Sequence, residues 1–465
     1  MTEPPPTRRG SLRFMVRALR HRNFALFFSG QLVSLVGTWL SMVATSWLVY
    51  RLTRESDPAH AALMLGVVNF AAQIPIFVLA PLAGVWLDRS NRQRVLVATQ
   101  TLSMLQSFAM AYLVLSDRVT LGQIIALSAF QGIINAVDIP ARQSMIVHMI
   151  ERAEDLSNAI ALNSAMVQSA RLVGPAVAGL LIYAFGEGLC FLIDGFSFLS
   201  VIAALTAMRI ATVRRAEAHP PVATALWQGV SYAFGFAPIR ALLGIVAVVS
   251  LMAMSQSVLM PVYANQILGG EERTLGLLLG SAGLGALLGS VYLASRHSVV
   301  GLGRVIVVGS VGLGAAMLAL AASAHLLVSL VALLVAGASL LVQAASCNTL
   351  LQTIVEDDKR GRVMSLFSMA FMGMAPFGSL LAGSLATEIG VRPTLAMAGV
   401  VCIAAGGVFA LRLKAIRPLI RPIYIRKGIL PLVADAGTPI DIPAAALEAA
   451  ESDDIDAAES DSSAS

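Results

Sequence analysis

Residues 62–94 read ALMLGVVNFAAQIPIFVLAPLAGVWLDRSNRQR. The stretch carries no charge until Asp88, and then Asp88, Arg89, Arg92 and Arg94 crowd into one short turn. An apolar run of about 20 residues or more is long enough to cross a hydrocarbon layer as a helix. A basic turn behind it marks the face of the layer where Lys and Arg are retained. Working outward, runs of the same kind fall at about 24–50, 95–116, 119–141, 157–184 and 188–208, and then at about 240–263, 274–295, 303–323, 326–355, 362–386 and 390–412. The pattern predicts an all-α membrane protein with twelve transmembrane helices in two six-helix bundles.

Composition agrees. Of 465 residues only 13% are charged and 57% are apolar, with a mean hydropathy of +0.79. An average soluble chain is about a quarter charged, so this one lacks the polar surface to cover a water-exposed core, and an ordinary soluble protein is excluded. There are 32 bases against 27 acids, net +5, but the last nine acids lie in residues 435–465, which hold no Lys or Arg. The basic balance therefore belongs to the loops, whose partner is the anionic face of a lipid bilayer rather than nucleic acid. Cys190, Cys347 and Cys402 stand alone in apolar runs, which reads as buried thiols with no disulfide and no metal site. The Arg-rich start resembles a signal peptide, but the run after it is too long for one and no small-residue cleavage site closes it, so it is read as a retained first helix.

Counting bases in alternate loops orients the chain: 26 of the 32 fall on the side of both termini, only Arg51, Arg54, Arg118, Arg273 and Arg392 on the other, and Arg171 lies inside an apolar run. Both ends are expected in the cytoplasm. The expected organisation is a basic N-terminus (1–23), a first bundle (24–208), a linker (209–239) with Arg214, Arg215, His219, Pro220 and Pro221, a second bundle (240–413), and a disordered tail (414–465), basic then acidic. The halves resemble each other: Glu151 and Glu356, like Gly84 and Gly289, are 205 residues apart, and Gly174-Pro175 matches Ala375-Pro376 at 201. A duplicated unit explains the recurring offset, and parallel repeats with a substrate site between them are a known transporter plan.

Gly84-x-x-x-Asp88-Arg89-x-x-Arg92 is suited to latch two helices, because a carboxylate near a positive helix end is favoured. It resembles the loop 2–3 signature of the major facilitator superfamily. More narrowly, Asp138-Ile-Pro140-Ala-Arg142-Gln143, Ala170-Arg171-Leu-Val-Gly174-Pro175-Ala-Val-Ala-Gly179 and Arg360-Gly361-Arg362-Val363-Met364 resemble the enterobactin-exporter and macrolide-efflux branch. The resemblance covers about Asn23 to Leu413. It implies the twelve-helix facilitator fold, alternating access, and export of a small, often amphipathic molecule, such as a siderophore or a drug, coupled to proton entry. Three positions depart from the pattern: Ser128 stands where drug antiporters carry an arginine, Leu293 replaces the acid in the second copy of the loop signature, and Asp194 lies where the branch has a neutral amide.

Charges inside a membrane cost about 2.5–3.5 kcal/mol each on insertion scales, so each invites a functional reading. Depth along the helices makes an Asp138 to Arg171 contact feasible and separates Arg171 from Asp194 by about 10 Å. Asp138, Arg142 and Arg171 are read with Asp88 as an inner gate, or else as a permanent ion pair holding helices together. Asp194, with no cation at its depth, suits reversible protonation, with Asp138 as the second candidate proton carrier; a carboxyl capped by helix carbonyls is the plainer alternative.

Spacings of three and four put polar residues on one helical face. Gln31, Ser34, Thr38, Ser41 and Thr45 do so on helix 1, Ser128, Gln131, Asn135, Asp138 and Arg142 on helix 4, and Ser346, Thr349, Thr353 and Glu356 on helix 10, with Gln256 a weaker candidate on helix 7. The facilitator fold lines its cavity with these helices, so the stripes are expected to face substrate; hydroxyls bonded to their own helix are the alternative. Gly174, Pro175, Gly179, Pro376 and Gly378 permit bends or close packing. No nucleotide-binding loop, metal cluster or nucleophile–base set is present in the sequence, so no cofactor and no enzyme activity are expected. The partners expected are a small-molecule substrate, protons and lipid, with the chain acting as a monomer. An uptake facilitator, or a membrane assembly or sensor protein that no longer transports, are the alternatives.

Overall fold

The computed structural model describes residues 16–57, 60–88, 90–208, 231–296, 298–356, 359–427 and 429. Among these residues twelve long helices follow one another: α1 Arg22–Ser56, α2 Ala61–Asp88, α3 Arg92–Leu115, α4 Leu121–Ile146, α5 Ala153–Phe185, α6 Glu187–Ala207, α7 Ala237–Val258, α8 Glu272–Ala294, α9 Leu302–Ala322, α10 Leu326–Ile354, α11 in two pieces, Arg360–Phe371 and Ala375–Ile389, and α12 Val391–Arg426. Each apolar run of the sequence has become one of them. Among the described residues eleven spans are long and apolar enough to cross a membrane. The exception is α3, whose run is interrupted by Thr99, Gln100, Thr101, Ser103, Gln106 and Ser107.

The halves repeat each other in detail. In the first, α2 packs on α4, α1 on α5 and α3 on α4; in the second, α8 packs on α10, α7 on α11 and α9 on α10. Single glycines with positive φ, Gly186 (78°) and Gly390 (87°), turn α5 into α6 and α11 into α12, a conformation that costs glycine nothing. Their separation of 204 repeats the offset seen in the sequence.

Across the halves α5 packs on α8 and α2 on α11. Both pairs depend on glycine. A Cβ on Gly276 would lie 2.8 Å from the Pro175 carbonyl oxygen and 3.0 Å from the Gly179 Cα, and one on Gly383 would lie 2.6 Å from the Ala62 oxygen and 3.1 Å from the Gly66 Cα. Such backbone-to-backbone approach is how helices associate where lipid removes the hydrophobic drive. These contacts lie toward the far end of the molecule, opposite the end where α1 begins. There one apolar core takes Leu40, Trp47 and Leu65 from the first half and Val258, Tyr263 and Leu275 from the second. At the near end the core of Phe24, Phe27, Leu96, Met145 and Leu205 belongs to the first half alone.

Residues up to Arg417 form one unit and those from Pro418 another. The last helix does not stop near Leu413 as expected; it runs on to Arg426. Ile416, Ile420 and Tyr424, spaced by four, are all buried, so helical periodicity continues through Pro418 and Pro422. The stretch 414–426, read as the start of an irregular tail, is therefore helical. The acidic tail from 430 onward and the linker residues 209–230 lie outside the described residues.

Candidate transport site

The polar residues of α4 meet α3. Asp138, almost fully buried, accepts from Thr99 Oγ1 (2.8 Å) and Gln100 Nε2 (2.7 Å) and is ion-paired with Arg142 one turn along its own helix. Two turns farther from the near end, Gln131 donates to Ser103 Oγ at 3.0 Å and to Asn135 Oδ1 at 3.2 Å. Higher still, Ser107 donates to Asp194 Oδ2 at 2.5 Å. Thr99, Gln100, Ser103 and Ser107 are all buried and lie on one face of α3, so this least apolar helix serves as a polar spine for the first half. The α4 stripe was expected to line the cavity; Gln131 and Asp138 instead bond α3, because an amide or carboxyl at membrane depth needs a partner and α3 supplies one. Ser128 is buried as well.

Asp194 sits among α1, α3 and α6, where a Cβ on Gly37 would come within 3.0 Å of its Oδ1. That oxygen has no hydrogen-bond partner among the described residues. Toward the far end of the same helix, Glu187 holds Arg51 in a forked pair, Nε to Oε1 at 2.8 Å and Nη2 to Oε2 at 3.2 Å.

The other stripes are mixed: Thr38 and Glu356 are exposed, and Ser41, Thr45, Thr349 and Thr353 are half-buried. Gln31 and Ser34 on α1 are buried, and Thr38 and Thr45 donate to the Ser34 and Ser41 carbonyls of their own helix, at 3.0 and 2.8 Å. On α10 Ser346 is buried, and Thr349 and Thr353 donate to Ala345 and Thr349 carbonyls. Gln256 on α7 is buried too, with its Oε1 unpartnered among the described residues. The threonine hydroxyls are thus satisfied by the preceding turn of their own helices. Gln343, 205 residues after Asp138, rests on Gly309 of α9 at 2.9 Å from the Cβ that glycine lacks. The second half thus carries a neutral amide where the first carries its buried ion pair.

Arg171 does not meet Asp138. Its guanidinium stands over the ring of Trp39 on α1, 5.9 Å from the centroid, and its carbonyl abuts Gly283 of α8. The expected Asp138–Arg171 pair is replaced by Asp138–Arg142, since a partner one turn away on α4 needs no helix to move. Of the loop signature, Arg89 lies outside the described residues and Gly84 and Asp88 are described in backbone only, as the end of α2; Arg92 opens α3, behind Asn91, whose side chain caps that helix by accepting from the Arg94 amide. Arg360 and Arg362 occupy the first turn of α11. The expected bends differ between halves. α5 is continuous through Gly174 and Pro175, with Gly174 packed on Trp39 and Gly179 on α8, whereas α11 is interrupted at 372–374 just before Pro376, with Gly378 packed on α7.

The far end is tied by side chains no sequence motif had flagged. Trp47 Nε1 donates to Glu272 Oε1 at 2.9 Å, Tyr50 OH donates to Asn265 Oδ1 at 2.8 Å, and Arg273 lies over the Tyr183 ring at 3.5 Å; each pair joins the two halves. On α5, exposed residues follow two faces. Ser169, Val173 and Leu180 run along one, while Ile160, Ser164 and Val167 mark the opposite face, and only toward the near end. Above Arg171 that second face is closed by Trp39 and α8. This face of α5 therefore borders a cleft that is open toward the near end and closed at mid-helix by Trp39 and α8.

Two repeated helical halves around such a cleft, with polar groups buried in the spans, define a multi-pass membrane transporter of the major facilitator type. Residues 15–418 match the family of transmembrane secretion effectors, MFS_3, and the chain belongs to it. It is 23% identical over 393 residues to the staphyloferrin A transporter of Staphylococcus aureus, covering 81% of this chain and 93% of that one. It is 26% identical over 367 residues to the multidrug efflux pump Tap of Mycolicibacterium fortuitum, covering 77% and 88%. Among solved structures, the nucleoside transporter NupG superposes with a TM-score of 0.67 at 12% identity, covering 85% of this chain and 99% of that one. A bacterial homologue of the human lysosomal transporter Spinster, in an inward-facing unoccupied conformation, gives 0.63 at 13%, covering 86% and 97%. Those two share the fold. The family and the named relatives are transporters, not enzymes.

Proposed function

We propose that this transporter exports a small amphipathic molecule from the cytoplasm in exchange for protons, by rocking its two halves so that the central cleft faces one side at a time. The observation that carries the reading is the contrast between the ends: a far end sealed by Trp47–Glu272, Tyr50–Asn265 and two glycine contacts, against a cleft exposed at the near end. Interfaces bistable in this way are the usual basis of alternating access. The near end, where bases gather, is the cytoplasmic one, and the membrane is the cytoplasmic membrane. The names of the siderophore transporter and the multidrug pump among its relatives support a substrate of that kind.

Asp194 is the proposed proton carrier, with Asp138 second: both are buried in the first half, and the second half has a neutral residue opposite Asp138. Asp138, Arg142, Asp88, Arg89, Arg92, Arg360 and Arg362 form the proposed near-end latch that closes when the cleft turns outward. The protein acts as a monomer. Inside-out vesicles carrying it should accumulate an amphipathic dye when respiration drives protons in, and lose that accumulation with an uncoupler. Uptake by whole cells that ignores the uncoupler would establish the facilitator instead, and no movement in either direction would leave a non-transporting role.

A further inference from the structure

Arg171 sits where the cleft ends. Ile160, Ser164, Val167 and Arg171 are spaced by four, three and four, so they share one face of α5. The first three are exposed there although the opposite face carries the exposed Ser169, Val173 and Leu180. Arg171 is thus the last residue of the open stripe, directly beneath Gly174, where Trp39 closes it. Among the described residues its guanidinium has one neighbour of electrostatic consequence, the Trp39 ring at 5.9 Å, and no carboxylate pairs with it. Three buried or half-buried acids of the first half are paired with other cations, Asp138 with Arg142, Glu187 with Arg51 and Asp155 with Arg17, and Asp194 accepts from Ser107.

A guanidinium always carries its charge, and a lone one at mid-membrane is costly unless something meets it. Placed at the blind end of a cleft, it is met by whatever fills that cleft. We infer that Arg171 is the receptor for a carboxylate of the transported molecule, with Trp39 flanking the apolar body beside that carboxylate. This deepens the export reading and rests on it. A carboxylate fits for two reasons: the guanidinium fork matches a planar two-oxygen anion, and a single cation balances a single negative charge, whereas a phosphate dianion would leave charge over. The tryptophan ring adds a flat surface that tolerates either an aromatic or an aliphatic neighbour.

The test uses the full chain in nanodiscs, with Trp86 and Trp227 changed to Phe so that emission comes from Trp39 and the buried Trp47. Iodide, an anionic quencher, should reach Trp39 through the cleft and quench it more strongly in the parent than in Arg171→Gln, by about threefold, the enrichment a unit charge gives at about 6 Å in a water-like dielectric. Arg171→Lys should keep most of the excess, and neutral acrylamide should quench all three alike. Benzoate should relieve iodide quenching in the parent, and benzamide should not. Equal iodide quenching in parent and Arg171→Gln, or an acrylamide response that changes as much as the iodide one, overturns the inference. So does relief by benzamide equal to that by benzoate. The outcome is separable from the export reading: if the anion site is present but inside-out vesicles move no compound, export fails and the site stands, whereas export insensitive to Arg171→Gln sinks the site alone.

Discussion

Removing the indole donor at position 47 should loosen the far end by a predictable amount. Trp47 is buried, and its Nε1 is bonded to Glu272 at 2.9 Å across the two halves. A hydrogen bond to a charged group contributes about 1.5–3 kcal/mol. Because Glu272 is half-exposed and regains water when released, the lower figure applies. Trp47→Phe keeps most of the apolar contact and removes only the donor, so the far-end-open population should rise about tenfold, at about 1.4 kcal/mol per decade. The assay places a cysteine at Val258, which is buried in the shared far-end core, in a background where Cys190, Cys347 and Cys402 are alanine. The rate of labelling by a membrane-impermeant maleimide then reports opening. Glu272→Gln should give a smaller rise, and Glu272→Gln added to Trp47→Phe should give almost none, because the bond is already gone. Unchanged labelling in Trp47→Phe, or equal effects of Glu272→Gln in both backgrounds, would refute the view that this bond holds the far end shut.

Gly276→Val should also favour far-end opening, since even a Cβ there would lie 2.8 Å from the Pro175 oxygen; a misfit of about 1–3 kcal/mol should appear as faster maleimide labelling at Val258→Cys with little loss of folded protein. Asp138→Asn keeps an oxygen for the Thr99 and Gln100 donors but turns a neutral NH2 toward Arg142 and strands that cation. The cost should be about 2 kcal/mol, below that of a fully buried pair because Arg142 reaches water, read as a lower Tm that Arg142→Gln partly restores. Asp194→Asn should abolish uncoupler-sensitive accumulation in inside-out vesicles yet leave downhill exchange of the same dye intact; retained accumulation would remove Asp194 from the coupling path.

Much of the fold was legible because apolar runs and basic turns are local signals. Even α3, whose own composition falls short of a membrane span, reads as an apolar run at 95–116. The faces of the helices were not legible in the same way. The α4 spacing marked Gln131 and Asp138 as one stripe, but whether that stripe met water or another helix depended on α3, where Thr99, Gln100, Ser103 and Ser107 repeat the same spacing. That pattern, on the least apolar helix, is a signal in the sequence that reading for cavity helices passes over. The far-end bonds are different in kind. Trp47 and Glu272 are 225 residues apart, and Tyr50 and Asn265 are 215 apart, so nothing local joins them. The offset of 205 predicts equivalence between halves and says nothing of which residues touch across them. Depth along the helices alone made Asp138 a feasible partner for Arg171. Only the direction of the α5 face separates the two.

Distances measured at both ends of one molecule bear most directly on the central claim. Spin labels at Gln143 and Gln352, both exposed toward the near end, and a second pair at Arg118 and Ala324, exposed at the far end, report the two gaps independently. As the proton gradient or a transported dye shifts the population, the near-end distance should shorten while the far-end distance lengthens. Both distances moving in the same direction, or neither moving while transport proceeds, would contradict a cleft that opens to one side at a time.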